Sequence, residues 1–310
     1  MASAAVHPAP DRSRWVGAAL IATSAASFGA MAIFARVAYD SGANVFTVLT
    51  LRFALAAAVL LVVVRVRGLP LPRGRTLLAL AALGGIGYVG QSVTFFTALT
   101  LAPAGLVSLL LYLYPGFVTV LAAATGRERL TRTKLAALVL ALVGSALTVG
   151  GSGGLTRPTS GMALGVLLGV AAAVIYAAYI VAGAGVTARA GAIPSTAVIT
   201  GTAAVVLAVP MAAGGPRLPH GTGGWAAVGA IALVSTVLAI VTFFAGLARL
   251  GPSTAATLST LEPVVTVALA ALLLAEPFGP VQLAGGALIL TAIVLLVHTG
   301  RQPRPAAPAT

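Results

Sequence analysis

An apolar stretch that occurs twice sets the terms for this chain. Residues 95–149 return without a gap 148 residues later as 243–297, with about 16 of roughly 55 aligned positions identical. Phe95-Phe96 falls on Phe243-Phe244, Leu113-Tyr114-Pro115 on Leu261-Glu262-Pro263, and Glu128 on Glu276. The same offset places Phe28-Gly29 on Tyr176-Ala177. A membrane-embedded chain duplicated in this way is more often a transporter than anything else.

Lipid is the only solvent that suits it. Hydrophobic residues make up 59% of the chain and charged ones 7%, against roughly a quarter charged in a soluble domain. Several apolar runs exceed the ~20 residues that cross a bilayer's hydrocarbon core, and the alternation of an outer-membrane barrel is absent. The fold class expected is an all-α polytopic membrane protein. Without cysteine there is no disulfide framework and no thiolate metal site. His7, His220 and His298 are scattered over a tail, a loop and a span end, and form no metal or catalytic cluster. No phosphate-cradling loop with its lysine occurs, so ATP-driven transport is not expected and no cofactor is. Residues 1–14 are polar and proline-broken and Trp15 opens straight into an apolar segment, which reads as an uncleaved first helix. Arginine in place of lysine, with abundant Ala and Gly, fits a GC-rich bacterial genome and hence an inner membrane.

Ten spans are predicted, at 15–37, 45–65, 76–98, 103–125, 134–151, 161–182, 195–214, 224–247, 253–275 and 281–298. Turn signals such as Arg67-Gly68-Leu69-Pro70 and Gly214-Gly215-Pro216 separate them. Ten crossings put both termini on one side. With that side cytoplasmic, about fourteen basic residues fall inside (Arg12, Arg14, Arg65, Arg67, Arg73, Arg75, Arg127, Arg129, Arg132, Lys134, Arg189, Arg249, Arg301, Arg304) against Arg157 and Arg217 outside. That asymmetry predicts cytoplasmic termini. It also assigns the net charge of +13 to short loops rather than to a nucleic-acid patch. The expected organisation is a tail (1–14), a first five-helix repeat (15–151), a periplasmic or extracellular linker (152–160), a second five-helix repeat (161–298) and a tail (299–310). Five is odd, so the second copy enters the membrane upside down. Inverted halves can exchange conformations by symmetry, which is the physical basis of alternating access.

The run Leu99-Thr100-Leu101-Ala102-Pro103, through Pro115, to Gly126-Arg127-Glu128-Arg129-Leu130 resembles the EamA repeat of the drug/metabolite transporter superfamily. The second copy is still more similar, in Leu261-Glu262-Pro263-Val264-Val265, Leu273-Leu274-Ala275-Glu276-Pro277 and Gln282-Leu283-Ala284-Gly285-Gly286. Phe28-Gly29 and Leu51-Arg52-Phe53 resemble the family's early landmarks. The resemblance covers residues 15–298. It implies a ten-helix carrier of two EamA repeats around a central cavity, moving metabolites or drugs, mostly outward in bacteria, without fixing the substrate. One departure is that Arg127-Glu128-Arg129 stands where the second copy has Ala275-Glu276-Pro277, so the two glutamates need not share a role.

Few residues could carry chemistry. Glu262 is the acid placed deepest in a span, about nine residues into the ninth helix and, at ~1.5 Å per residue, near half depth. An ionised carboxylate there is costly, so it should face a wet cavity, find a cation or take a proton. It would couple protons, recognise a substrate amine, or simply bond backbone freed by Pro263. Arg52 could hold a substrate carboxylate or pair with Glu262, but a structural or snorkelling role is favoured. Pro115 and Pro263 sit at matching mid-span positions and would kink their helices, as paired hinges or as static bends. Tyr88, Gln91, Tyr112, Tyr114, Tyr176 and Tyr179 are polar-capable residues in apolar spans, suited either to an aromatic pocket for an amphipathic solute or to plain packing. Gly84, Gly87 and Gly90 favour close helix contact, and Trp15 and Trp225 read as interface anchors. The expected function is export of small metabolites, amino acids or related amphipathic solutes, or of drugs. The partners are a small-molecule substrate, the bilayer and, as a candidate coupling ion, protons; a monomer is compatible with this plan. A membrane enzyme or lipid-processing protein would need acids, histidines or a nucleophile near an interface, and a channel a filter sequence. Neither is evident.

Overall fold

Ten helices are long and apolar enough to cross a bilayer. In chain order they are α1 (Ser13–Asp40), α2 (Val45–Val66), α3 (Gly74–Ala98), α4 (Val107–Ala124) and α5 (Arg132–Gly150), then α6 (Met162–Ala190), α7 (Ala192–Gly214), α8 (Gly221–Leu250), α9 (Pro252–Leu273) and α10 (Pro280–Val297). This computed structural model describes residues 12–102, 104–150, 161–274 and 279–299. The loop expected to hold Glu276 and Pro277, the linker with Arg157, and the tails at 1–11 and 300–310 lie outside the described residues. Trp15 and Trp225, 43% and 46% exposed, stand near the starts of α1 and α8, where an interfacial ring belongs.

Most helix ends fall near their predicted positions, but α6 does not stop at 182. It runs on to Ala190, so Arg189 lies in its last turn and not in a loop. An arginine stem can lie along a helix and carry its charge to the interface, so a cation does not end a span. Gly191 alone separates α6 from α7, with φ of 82°. A residue with a Cβ rarely adopts that backbone.

Neighbours come from opposite halves of the sequence. α1 packs on α8 and α6 on α3; α9 lies on α1 and α4 on α6; α2 pairs with α7, and α5 with α10. Advancing each helix by one repeat turns this set of pairs into itself, as inverted repeats around a pseudo-two-fold axis require. Small residues permit the approach. At the α5–α10 seam the backbones touch: a Cβ on Gly144 would stand 2.7 Å from the Gly285 carbonyl oxygen, and one on Gly285 2.6 Å from that of Gly144. Gly84 is pressed against the Ile199 backbone of α7 and Gly87 faces Tyr179 of α6, so these glycines do serve packing.

Two irregularities recur in both halves. A π-helical turn widens α3 at Leu83–Tyr88 and α8 at Leu233–Leu238. The second irregularity is a break. α4 divides into Ala104–Leu111 and Tyr114–Ala124, and α9 into Pro252–Leu258 and Leu261–Leu274. Pro115 and Pro263 therefore sit in the first turn of a new segment and not inside a continuous kinked helix. There a missing N–H costs nothing. A proline ring repels the carbonyl four residues back, which is Leu111 or Ser259, so the chain yields upstream of the proline. The Leu113 N–H bonds the Leu110 carbonyl and the Thr260 N–H the Thr257 carbonyl, both at 3.2 Å in tight three-residue turns.

A side chain at the α5–α10 seam should be disabling. Gly144→Leu should cost on the order of 1–3 kcal/mol through overpacking, read as a lower unfolding temperature in detergent. Gly116→Ala should change little, since its added Cβ would meet only Leu142, at 4.0 Å.

Candidate substrate site

Aromatic rings from both halves meet in the interior. Tyr88 of α3 makes an edge contact with Phe53 of α2 at 5.2 Å and with Tyr179 of α6 at 5.5 Å. Tyr179 stacks on Tyr176 at 6.0 Å, and Tyr176 meets Tyr114 of α4 at 4.8 Å. Phe244 of α8 adds a ring 6.1 Å from Tyr179. Such contacts favour ordered rings. Five of the six predicted tyrosine and glutamine positions thus share one region, with Tyr112 joining through its proximity to Tyr114 and Glu262. Gln91 is not drawn into the ring cluster by any bond: its amide oxygen accepts from the neighbouring Ser92 hydroxyl at 3.4 Å. The π-helical turn ends at Tyr88 and the chain continues as α-helix through Gln91, so their three-residue spacing keeps both on one side of α3.

Glu262 is the second residue of the second segment of α9, just beyond the break. Its carboxylate acts electrostatically on Tyr88, Tyr112, Tyr114 and Tyr176, so it points inward among α3, α4 and α6 and not toward lipid. Glu262, Tyr112, Tyr176 and Gln91 are half-buried, whereas Tyr88, Tyr114 and Tyr179 are buried. Its backbone is fixed from both sides: Thr266 donates to the Glu262 carbonyl at 3.1 Å and to that of Gly29 at 3.0 Å. A Cβ on Gly29 would stand 2.9 Å from the Glu262 carbonyl, so α1 meets α9 at its break. The Tyr114 hydroxyl, the sequence-mate of Glu262, crosses to the Ala256 carbonyl of α9 at 3.4 Å.

Arg52 is neither snorkelling nor paired with Glu262. It is 4% exposed. Nη1 donates to the Met31 sulfur at 2.8 Å and Nη2 to the Tyr88 hydroxyl at 3.5 Å, with the guanidinium carbon 4.2 Å from the centroid of the Phe53 ring. Nε has no partner among the described residues. Met31 and Phe53 were missed as neighbours because nothing local in the sequence brings α1, α2 and α3 to one point.

A further residue emerges at one face of the bundle. Glu128, in the α4–α5 loop, pairs with Lys134 through one carboxylate oxygen and accepts from the Ser253 N–H of α9 through the other at 3.0 Å. Next to it, Arg127 donates to the Val181 carbonyl of α6. Gly251 leaves room for this contact, since a Cβ there would lie 2.6 Å from the carboxylate, and its φ is 78°. The loop of the first half thus grips two helices of the second. At the opposite face the α1–α2 and α7–α8 loops are bonded, His220 N–H to Ser41 carbonyl at 2.7 Å and Asn44 amide to Gly215 carbonyl at 2.9 Å. The only sequence sign of the Glu128 bridge was its recurrence as Glu276.

The EamA-like transporter family matches this chain twice, over residues 15–150 and 163–298. A solved crystal structure, described only as that of a protein, superposes with a TM-score of 0.79 over 92% of this chain and 97% of its own. At 24% identity that likeness establishes the fold. No curated protein matches the chain.

Two hydroxyls of the ring cluster should respond differently to removal. The Tyr179 hydroxyl is buried without a partner among the described residues, so Tyr179→Phe should leave thermal stability within about 1 kcal/mol or raise it. Tyr88→Phe strips Arg52 of an acceptor and should cost roughly 1–3 kcal/mol, read in the same unfolding assay.

Proposed function

The chain belongs to the EamA-like transporter family, and from that premise we propose that it exports small amphipathic solutes by alternating access of its two inverted halves. Membership makes it a membrane transporter of the drug/metabolite type with a small-molecule substrate. The finer reading is that the cargo is an amine-bearing metabolite, such as an amino acid or related compound, or a drug. One observation carries it: Glu262 stands at a helix break near mid-membrane, facing tyrosines that both halves contribute. A carboxylate in that position attracts an ammonium, and tyrosine faces add cation–π attraction of about 0.5–2 kcal/mol. The broken segments of α4 and α9 provide matched places to bend, which supports Pro115 and Pro263 as hinge markers. The lopsided basic loops support an inner-membrane setting with cytoplasmic termini.

In this reading the Glu128 bridge is the closure on the face that bears the α4–α5 loop. It joins one half to the other through the charge-assisted bond from the Ser253 N–H, with Lys134 of its own half paired to the same carboxylate, so opening that face requires breaking that bond.

Two experiments test the proposal. In proteoliposomes, counterflow of labelled phenethylamine should saturate, and Glu262→Gln should reduce it at least tenfold, about 1.4 kcal/mol of lost binding. Flux rising linearly with concentration would mean a pore. If a pH gradient drives Glu262→Gln as well as it drives the unsubstituted protein, Glu262 is not the proton carrier. The second experiment exploits the absence of cysteine. A single Ser253→Cys thiol, at a site now 3% exposed, should react slowly with an impermeant maleimide. Adding Glu128→Ala should speed that reaction at least tenfold, as expected for losing a charge-assisted bond worth roughly 1.5–3 kcal/mol. An unchanged rate would remove Glu128 from the closure.

A further inference from the structure

We infer that Arg52 is an anion subsite of the transport chamber, built to hold a carboxylate of the cargo whose ammonium meets Glu262. This rests on the transport reading above and narrows its substrate class to dipolar solutes. A guanidinium presents five N–H donors in a planar fork. Those of Arg52 find a thioether sulfur, which is a weak acceptor, and a phenol at 3.5 Å, at the limit of a bond. Nε finds nothing. A cation this deeply buried without an anion is costly, and the ion pair of the described residues lies elsewhere, between Lys134 and Glu128.

The surroundings fit an anion. Tyr39 of α1 lies within electrostatic range of Arg52, Tyr88 touches it, and the unpartnered Tyr179 hydroxyl belongs to the ring packed on Tyr88. All three can donate, and among the described residues no carboxylate accepts a hydrogen bond from them. The Phe53 ring against the guanidinium fixes the plane of the fork, which a carboxylate matches with two parallel bonds. Tyr88 feels both Arg52 and Glu262, so one solute bearing two opposite charges can span the two sites along the tyrosine wall. Glu262 itself is the alternative carboxylate that could reach Arg52 in another conformation.

The test uses the full chain in nanodiscs and two probes that share a phenyl ring, 3-phenylpropionate and phenethylamine, with thermal unfolding as the readout. 3-Phenylpropionate should stabilise the unsubstituted protein saturably. Arg52→Gln should weaken that response at least tenfold relative to the response to phenethylamine, and Arg52→Lys by a smaller factor, which keeps the test usable if the glutamine variant folds poorly. Glu262→Gln should weaken phenethylamine and spare 3-phenylpropionate. No saturable response to 3-phenylpropionate, or equal responses in the Arg52 variants, overturns the subsite. So does loss of the 3-phenylpropionate response in Glu262→Gln, which would mean that the acid and Arg52 serve each other. Failure of phenethylamine counterflow with 3-phenylpropionate binding intact would instead count against the transport reading alone.

Discussion

Hydrocarbon gives a helix no solvent to bond and little hydrophobic reward for touching another helix, so cohesion here depends on how near two backbones can come. The α5–α10 seam shows the limit, with Gly144 and Gly285 each occupying the space where the other's Cβ would go. Many hydroxyls within spans bond their own helix. The hydroxyls of Thr119, Thr148, Thr187 and Thr200 each donate to the carbonyl four residues back. Where hydroxyls turn onto their own helices in this way, helix surfaces stay smooth and small and the seams can be close, while a few, such as those of Thr266 and Ser235, bond carbonyls of the other half.

Onto this symmetric frame the chain places asymmetric chemistry. The breaks in α4 and α9 occupy equivalent places, yet one is followed by Tyr114 and the other by Glu262. Tyr114 reaches across to the Ala256 carbonyl, tying the neutral break to the acidic one. Arg52 is likewise a charge of one half only, buried under Phe53 and beside Tyr88. Duplication accounts for the matched breaks, while Tyr114, Glu262 and Arg52 are where the two halves have diverged in the interior.

The existence and order of the ten spans were readable because about 20 apolar residues are a physical requirement that few other structures impose. Their ends were less readable, as α6 shows: Arg189 looked like a loop residue because charge is avoided in lipid, but a long side chain lets the helix run under it. The prolines announced the breaks and misplaced them, since ring repulsion acts four residues upstream. The tyrosines were readable as a set from their odd polarity in apolar spans. Their partners were not, because Tyr88 with Tyr179 and Tyr176 with Tyr114 pair across halves. Glu128 stayed hidden longest, since a surface carboxylate in a basic loop looks solvated until the helix start it caps is placed beside it.

The one-residue joint at Gly191 has an engineering corollary. With α6 and α7 fused through a single left-handed residue, that corner has no slack. Any splice there would have to be absorbed by rearranging both rods. The chain between α7 and α8, from Gly215 to His220, spans six residues but is bonded to the α1–α2 loop through Gly215 and His220, so an insertion there would loosen that face as well.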